Sequence, residues 1–407
     1  MQDDIPIPRY TLLDGGTAAS LFGAGMKPDE CPETWMLSHP DEVLRLQRAY
    51  VEAGSEVLYA PTFSANEARL SRFGLEKEAE RINAKLAALT KQAAAGRARV
   101  AGNLSPTGLS IEPAGETSFD ELCRIYADQA AALDDAGVDL FVIETMLSVT
   151  EARAAVMACR KYKKPVWVTM TLDQDGMLLS GGQPLACLIT LQRLGVDGFG
   201  FNCGAGIEGM VTALRTVSPY ASVPLIAKPN ILPEHACAPE QFADWVRLLL
   251  NAGASIVGGC CGTAPEHIRA VHECLRQYKP HPMAPLTSAQ ENDIWLTNEK
   301  TLFALDEDRI EFTTPIACSH DMSDDFFAAE RDSFDVMLVS VETPDDALDF
   351  ARNAPFAALP VCFQSEDPEA LSRALFLYNG RAMVDSNSTI EESRLRKIAD
   401  RYGAFVY

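Results

Sequence analysis

"IVGGCCGTAPEH", residues 256–267, moves from two β-branched residues through paired glycines to adjacent cysteines, then into Pro-Glu-His. The β-branched start reads as a strand, and Pro265 suits the first turn of a helix. Thr263 with Glu266 three residues on is the pattern of a capping box. A strand that passes through a polar turn directly into a helix is one unit of an alternating α/β fold. The same unit recurs upstream. Strands are expected at "YTLL" (10–13), "EVLYA" (56–60), "ARVAG" (98–102), "DLFVIE" (139–144), "VWVTMT" (166–171), "GFGFNC" (198–203), "PLIAKP" (224–229) and "SIVGGC" (255–260). Helical spacing fills the intervals, as in "DEVLRLQRAYVEAG" (41–54) and "FDELCRIYADQAAALDDAG" (119–137), both ending in the Ala-Gly pair usual just past a helix. Eight such units, each strand apolar enough to be covered on both faces, predict a parallel (β/α)8 TIM barrel.

In such a barrel the C-terminal ends of the strands meet at one rim, where chemistry gathers. Most of the expected strands end on a polar or thiol residue: Asp14, Thr62, Asn103, Glu144, Cys203, Asn230 and Cys260-Cys261. Cys203 follows the sixth strand and the cysteine pair follows the eighth, with Asn230 after the seventh as a possible oxygen donor. Three thiolates and one exchangeable position describe a zinc site open to substrate. The spacing also allows buried core cysteines, which are common. A disulfide between adjacent cysteines is disfavoured by its geometry. A zinc ion with three thiolate ligands is electron-rich, which suits activation of a substrate thiol better than of water. The "GAGIEG" stretch (204–209) matches G-x-G-x-x-G, but no acidic residue follows at the distance a dinucleotide site needs. Its glycines would instead admit a small anion to backbone N–H groups.

Composition restricts the partners. The chain has 407 residues, 47% hydrophobic and 23% charged, with 57 acidic against 35 basic residues and a net charge of -22. That balance argues against nucleic acid or an anionic membrane surface as partner. "MQDDIPIPRY" lacks the basic and apolar regions of a signal peptide, and no apolar run is long enough to span a bilayer. Eleven cysteines, scattered except for the 260/261 pair, fit a reducing, cytoplasmic setting.

"FNCGAG" (201–206), "KPNILP" (228–233) and "GGCCGT" (258–263) together resemble the homocysteine S-methyltransferase family. Within it the chain is most similar to the homocysteine-binding module of cobalamin-dependent methionine synthase. "LLDGG" (12–16), "RAYVEAGSEVLYAPTFSANEARL" (48–70), "LSPTGLSIEPAGETSF" (104–119), "IETM" (143–146) and "PVWVTMTLDQDG" (165–176) extend the likeness over residues 8–278. The resemblance implies a zinc enzyme that methylates homocysteine to methionine. By it, Cys203, Cys260 and Cys261 are the metal ligands, and Asn230 lies at the position that can fill the fourth site without substrate. Glu144 and the backbone near Asp14 and Gly15 would hold the amino acid end of homocysteine. Two rim loops depart from the family pattern: "PNILP" has Ile231 and Leu232 where a glycine is usual, and "DGGTAAS" lacks the Met-Gly pair.

The expected organisation is a barrel over residues 1–280, a linker over 281–299 marked by Pro282 and Pro285, and a small α/β unit over 300–407. In the last, strands are expected at "DVMLVSV" (335–341), "ALPVCFQ" (358–364), "RAMVDSN" (381–387) and "AFVY" (404–407). "LPVCFQSEDPEALSRALFLYNGRAMVDSNS" resembles part of the folate-binding barrel of methionine synthases, with "FQSED" and "VDSNS" replacing that family's polar stretches. No D-x-H-x-x-G cobalamin signature is present. Methylcobalamin as donor would therefore come on a corrinoid protein or another domain. S-methylmethionine or betaine is the alternative donor, and a non-catalytic binding or assembly subunit the alternative role.

Overall fold

The computed structural model describes residues 10–204, 206–232, 237–279 and 293–407. Among them, eight parallel strands form one sheet: β1 (Thr11–Leu12), β2 (Val57–Tyr59), β3 (Arg99–Leu104), β4 (Leu140–Met146), β5 (Val166–Met170), β6 (Gly198–Asn202), β7 (Leu225–Lys228) and β8 (Ala254–Val257). Their order is β1-β8-β7-β6-β5-β4-β3-β2. A parallel bridge from Leu13 to Val57 joins the two ends and closes the barrel, reinforced by Glu56 N–H donating to the Leu12 carbonyl at 2.7 Å. All eight expected strands are present.

Alternation of side chains along each strand sorts them between lumen and helices. Leu13, Val57, Tyr59, Ala101, Leu140, Val142, Trp167, Ile226 and Ile256 form one buried cluster drawn from seven of the strand positions around the barrel. β6 adds no side chain because its matching residues are Gly198 and Gly200. A Cβ on Gly198 would lie 2.8 Å from the Trp167 ring, and one on Gly200 would lie 1.8 Å from the Ile226 carbonyl oxygen. The glycines thus make room for the indole and let β7 approach. Phe199 and Phe201 take the other parity and pack edge-on at 5.4 Å.

The same parity, carried to the strand ends, selects what faces the mouth. Ala101 leads to Asn103, Val142 to Glu144, Gly200 to Asn202, and Ile226 to Lys228, all buried.

The described residues divide into two compact units, one drawn from those within 10–109, 120–179 and 196–279, the other from those within 110–119, 180–195 and 293–407. The second contains five parallel strands in the order β11-β12-β13-β14-β15: β11 (Ile316–Ala317), β12 (Met337–Ser340), β13 (Val361–Gln364), β14 (Met383–Val384) and β15 (Phe405–Val406). Helices Ser323–Arg331, Pro344–Asn353, Pro368–Leu377 and Glu392–Tyr402 alternate with them. The four expected strands are all there.

The linker expectation requires correction. Residues 281–292 lie outside the described residues, but Asp293–Thr297 is a strand, β9, paired antiparallel with β10 (Leu302–Asp306). Ile294 and Leu296 pack with Val336, Cys362 and Met383, covering one face of the five-stranded sheet. Met337, Val339, Phe363 and Val384 take the other parity and pack with the helices. "DIWLT" is an apolar run of Ile294, Trp295 and Leu296 whose alternate residues Ile294 and Leu296 are buried, and that burial outweighs the loop-like composition before it.

A linker residue would tolerate truncation, whereas Leu296 is fully buried. Leu296→Ala should therefore destabilise the second unit by about 2–5 kcal/mol, read as a lowered urea midpoint. A cost under about 0.5 kcal/mol, typical of an exposed site, would refute the packing role of the hairpin.

Candidate functional site

The barrel mouth holds a cavity of about 250 Å³ lined by residues from seven strand ends and two rim segments. Asp14, Gly15, Tyr59, Asn103, Glu144, Cys203, Lys228, Cys260 and Cys261 all line it. Met26, Pro32, Met36, Pro61 and Phe63 supply an apolar wall.

The sulfur atoms of Cys203, Cys260 and Cys261 lie within 4.8 Å of one another, and those of Cys203 and Cys260 are 2.6 Å apart. All three cysteines are free of disulfides. Hydrogen bonds from Cys203 and Cys260 push the Cys261 thiol down to about 3. Hydrogen bonds to Cys260 and Cys261, with burial, push Cys203 strongly up. Three sulfurs this close cannot all carry charge unless a cation lies among them, which makes the group a candidate metal centre.

Backbone geometry fixes the cluster. Cys203 sits at φ 57°, a left-handed conformation unusual outside glycine, while its N–H donates to the Lys228 carbonyl at 3.2 Å. Thr145, at φ 62°, is clasped by Asn202: its N–H donates to Asn202 Oδ1 at 3.0 Å and its Oγ1 accepts from Asn202 Nδ2 at 2.7 Å. Strain of this kind costs about 1–3 kcal/mol per residue and persists only where neighbours enforce it. The turn after β8 is laced to both sides. Cys260 N–H donates to the Pro229 carbonyl and Gly259 N–H to the Asp14 carbonyl, each at 3.0 Å.

Thr263 does not cap the helix as the sequence pattern predicts. The helix Pro265–Gln277 is preceded by Ala264, whose N–H donates to His267 Nδ1 at 3.0 Å. The Thr263 hydroxyl instead donates to the Cys260 carbonyl at 2.6 Å and accepts from Gly16 N–H at 2.9 Å. Its side chain ties the cysteine turn to the loop after β1, a tertiary demand that overrides the local motif. A Cβ on Gly259 would sit 2.2 Å from that hydroxyl, so the residue must be glycine.

Beside the sulfurs lies a buried charge network. Lys228 Nζ donates to Glu144 Oε1 at 2.6 Å, with both side chains under a tenth exposed. It also lies 3.7 Å from the centre of the Tyr59 ring. Burial alone would lower the Lys228 ammonium, but surrounding negative charge, led by the Glu144 carboxylate, overcomes it and holds it well above its ordinary value. Glu144 Oε2 accepts from Asn103 Nδ2 at 3.0 Å. Asp14 Oδ2 accepts from Tyr59 N–H at 2.8 Å, and burial pushes its carboxyl up to about 7. Asp14 Oδ1, Asn103 Oδ1 and the Tyr59 hydroxyl are buried without a hydrogen-bond partner.

The structure thus brings together Asp14, Gly15, Glu144, Cys203, Cys260 and Cys261 as the sequence pattern predicts. Asn230 differs. It is half-buried after β7 and is not among the residues lining the cavity. Pro229 and Ile231 beside it bond through their backbones to Cys260 and Cys261, which fixes the segment and leaves its side chain outside the lining. Glu144 does face the mouth, but both its oxygens are already engaged. Lys228, Tyr59 and Asn202 are absent from the sequence-based set of site residues; strand parity from Ile226, Val57 and Gly200 is the signal that finds them. Of "GAGIEG", Ala205 lies outside the described residues, and a Cβ on Gly204 would lie 2.1 Å from the Leu172 carbonyl oxygen. Its role there is close packing.

With that geometry in place, residues 11–275 match the family described as homocysteine S-methyltransferase. The chain belongs to that family. It is 28% identical over 303 residues to a methionine synthase of Mycobacterium tuberculosis, and 28% over 290 residues to that of Mycobacterium leprae. The matches cover 68% and 65% of this chain but only 25% and 24% of those proteins, so the chain spans about a quarter of the curated relatives' length. The homocysteine methyltransferase MmuM from Escherichia coli, in its metallated form, superposes with a TM-score of 0.57 at 25% identity. That alignment covers 65% of this chain and 96% of MmuM. The chain is thus of a methyltransferase family, with a candidate three-cysteine metal site at the barrel mouth. Among the described residues, no helix is long and apolar enough to cross a membrane.

Asp14 gives a pH test. Its folded value of about 7 lies above the ordinary 3.8, so the native state binds the proton more tightly than the unfolded chain. Its contribution to stability is complete below pH 3.8 and is lost as pH rises through 7. Asp14→Asn removes the ionisation, so the variant should gain on the wild type between pH 4.5 and 7.5, by on the order of a few kcal/mol. Denaturant titrations at both values check this, and a pH-independent difference would refute it.

Proposed function

We propose that this chain methylates homocysteine to methionine, using zinc held by Cys203, Cys260 and Cys261. The observation that carries the reading is three thiols within 4.8 Å at the edge of a cavity that also offers carboxylates and an ammonium. The donor set fits the metal: Zn–S bonds of about 2.3 Å place tetrahedral sulfurs roughly 3.8 Å apart, within the span of this cluster. Zinc bound there would supply deprotonation of a coordinating substrate thiol at neutral pH.

The chain's own residues supply orientation and exclusion. Asp14, Asn103 and Glu144 present acceptors for an α-ammonium group, as unpaired or carboxylate oxygens. Gly15 and Gly16 bring backbone to the same wall; a Cβ on Gly16 would lie 2.6 Å from the Cys260 carbonyl oxygen. Met26, Pro32, Met36 and Phe63 keep water from the reacting sulfur. The substrate sulfur then forms an S–C bond to the donor's methyl group as the donor–methyl bond breaks, its electron pair leaving with the donor. The likeness to methionine synthases supports methylcobalamin, carried by a corrinoid protein or another domain. A second reading, a small S-methylmethionine- or betaine-type donor, is favoured by Met26 and Met36 closing part of the cavity wall.

Zinc-loaded protein should form methionine from homocysteine and methylcobalamin; turnover only with S-methylmethionine or betaine would overturn the donor assignment in favour of the second reading. Cys260→Ala should lose metal and activity together, the latter by at least about 100-fold. Activity that survives the loss of metal would sink the zinc assignment. Homocysteine binding should release a proton near neutral pH, seen by calorimetry in buffers of different ionisation enthalpy.

A further inference from the structure

The cavity has both carboxylate and unpaired oxygen acceptors, but one cation. Among the described lining residues, Lys228 is the single basic side chain, facing Asp14, Glu33 and Glu144. Glu33 is held apart, its Oε1 accepting from Ser64 N–H at 3.1 Å and its Oε2 from the Cys31 thiol at 3.4 Å. The remaining polar atoms divide by chemistry. Asp14 Oδ1 and Asn103 Oδ1 are buried acceptors lacking donors, and Glu144 lies beside them through Asn103 Nδ2. The Tyr59 hydroxyl is a buried donor lacking an acceptor, on the ring beneath the Lys228 ammonium. Buried polar atoms are rarely left unpaired, and a cavity that leaves three of them implies a ligand that pairs with them.

An α-amino acid meets both halves of this arrangement. Its ammonium offers three donors to oxygens that lack them, and its carboxylate offers acceptors to an ammonium and a phenol. We propose that Lys228, with the Tyr59 hydroxyl, binds the α-carboxylate of the substrate, and that the Lys228–Glu144 pair opens so that each partner takes the opposite charge of the zwitterion. The inference rests on the amino acid thiol reading above and names the residue that enforces it. In the closed pair each charge satisfies the other. A ligand with only one charge would leave Lys228 or Glu144 buried and unpaired, a penalty that rejects it. A zwitterion replaces both contacts at once. Lys228 therefore sets specificity for free amino acid thiols over simple amines and thiols.

The test compares homocysteine with aminopropanethiol, which lacks the carboxylate, and mercaptobutyrate, which lacks the amine. Binding of each to the zinc-loaded full chain is measured by calorimetry, and zinc content by atomic emission. Wild type should prefer homocysteine over either analogue by about 100-fold or more. Lys228→Gln should bring the preference over aminopropanethiol to within about 5-fold, leave discrimination against mercaptobutyrate, and retain zinc. Should an unpaired Glu144 prevent that variant from folding, Lys228→Gln with Glu144→Gln removes both buried charges, and both preferences should then collapse. A variant that keeps full discrimination against aminopropanethiol would overturn the proposal, since the carboxylate would then be held by backbone. Loss of zinc with discrimination intact would overturn it too, assigning the cation to the sulfurs. Wild type that binds aminopropanethiol as well as homocysteine refutes it without any substitution. Failure of wild type to bind homocysteine at all instead refutes the amino acid thiol reading beneath it.

Discussion

Alternation of side chains along closed parallel strands is the constraint on which the rest of this structure depends. Once the Leu13–Val57 bridge joins the sheet's ends, inward positions can no longer drift relative to one another. Leu140 and Val142, or Ile226 alone, commit Glu144 and Lys228 to the same interior space two residues later. Residues far apart in sequence then meet because they share a parity. The sulfur cluster follows less directly. Cys203, Cys260 and Cys261 all lie beyond the strands, so turns fix them, and the left-handed conformation of Cys203 is part of how they are fixed.

Much of this was legible in the amino-acid order. Eight apolar runs alternating with helical periods specify a barrel, and all eight strands fall within a few residues of their expected places. The cysteine triple was legible because thiols that follow β6 and β8, with one strand between them, are drawn to the same arc of a closed rim. Lys228 was less visible: a lysine next to a proline at the end of "PLIAK" looks like a solvated strand terminus. Its register with Ile226 turns it inward, and the Glu144 carboxylate and Tyr59 ring make that position tolerable for a charge. Thr263 misled for the opposite reason. Its motif is a sound local cap, but the Cys260 carbonyl and Gly16 N–H compete for the hydroxyl and win.

The second unit shows the limits of composition. Three prolines near residue 280 and the polar run after them hide a strand starting at Asp293. That hairpin buries a face of the five-stranded sheet which, in a closed barrel, would be the lumen. Where the sequence suggests part of a folate-binding barrel, the unit has five parallel strands alternating with helices, and one face of their sheet is covered by Ile294 and Leu296.

The glycines of β6 carry one more consequence. By leaving the lumen beside Trp167 free of side chains, they seat its indole in a dry layer below the mouth, with 7% of the residue exposed. An indole so placed emits at short wavelength and reddens when water reaches it. With the other three tryptophans, Trp35, Trp245 and Trp295, replaced by phenylalanine, Trp167 becomes an optical gauge of the barrel interior.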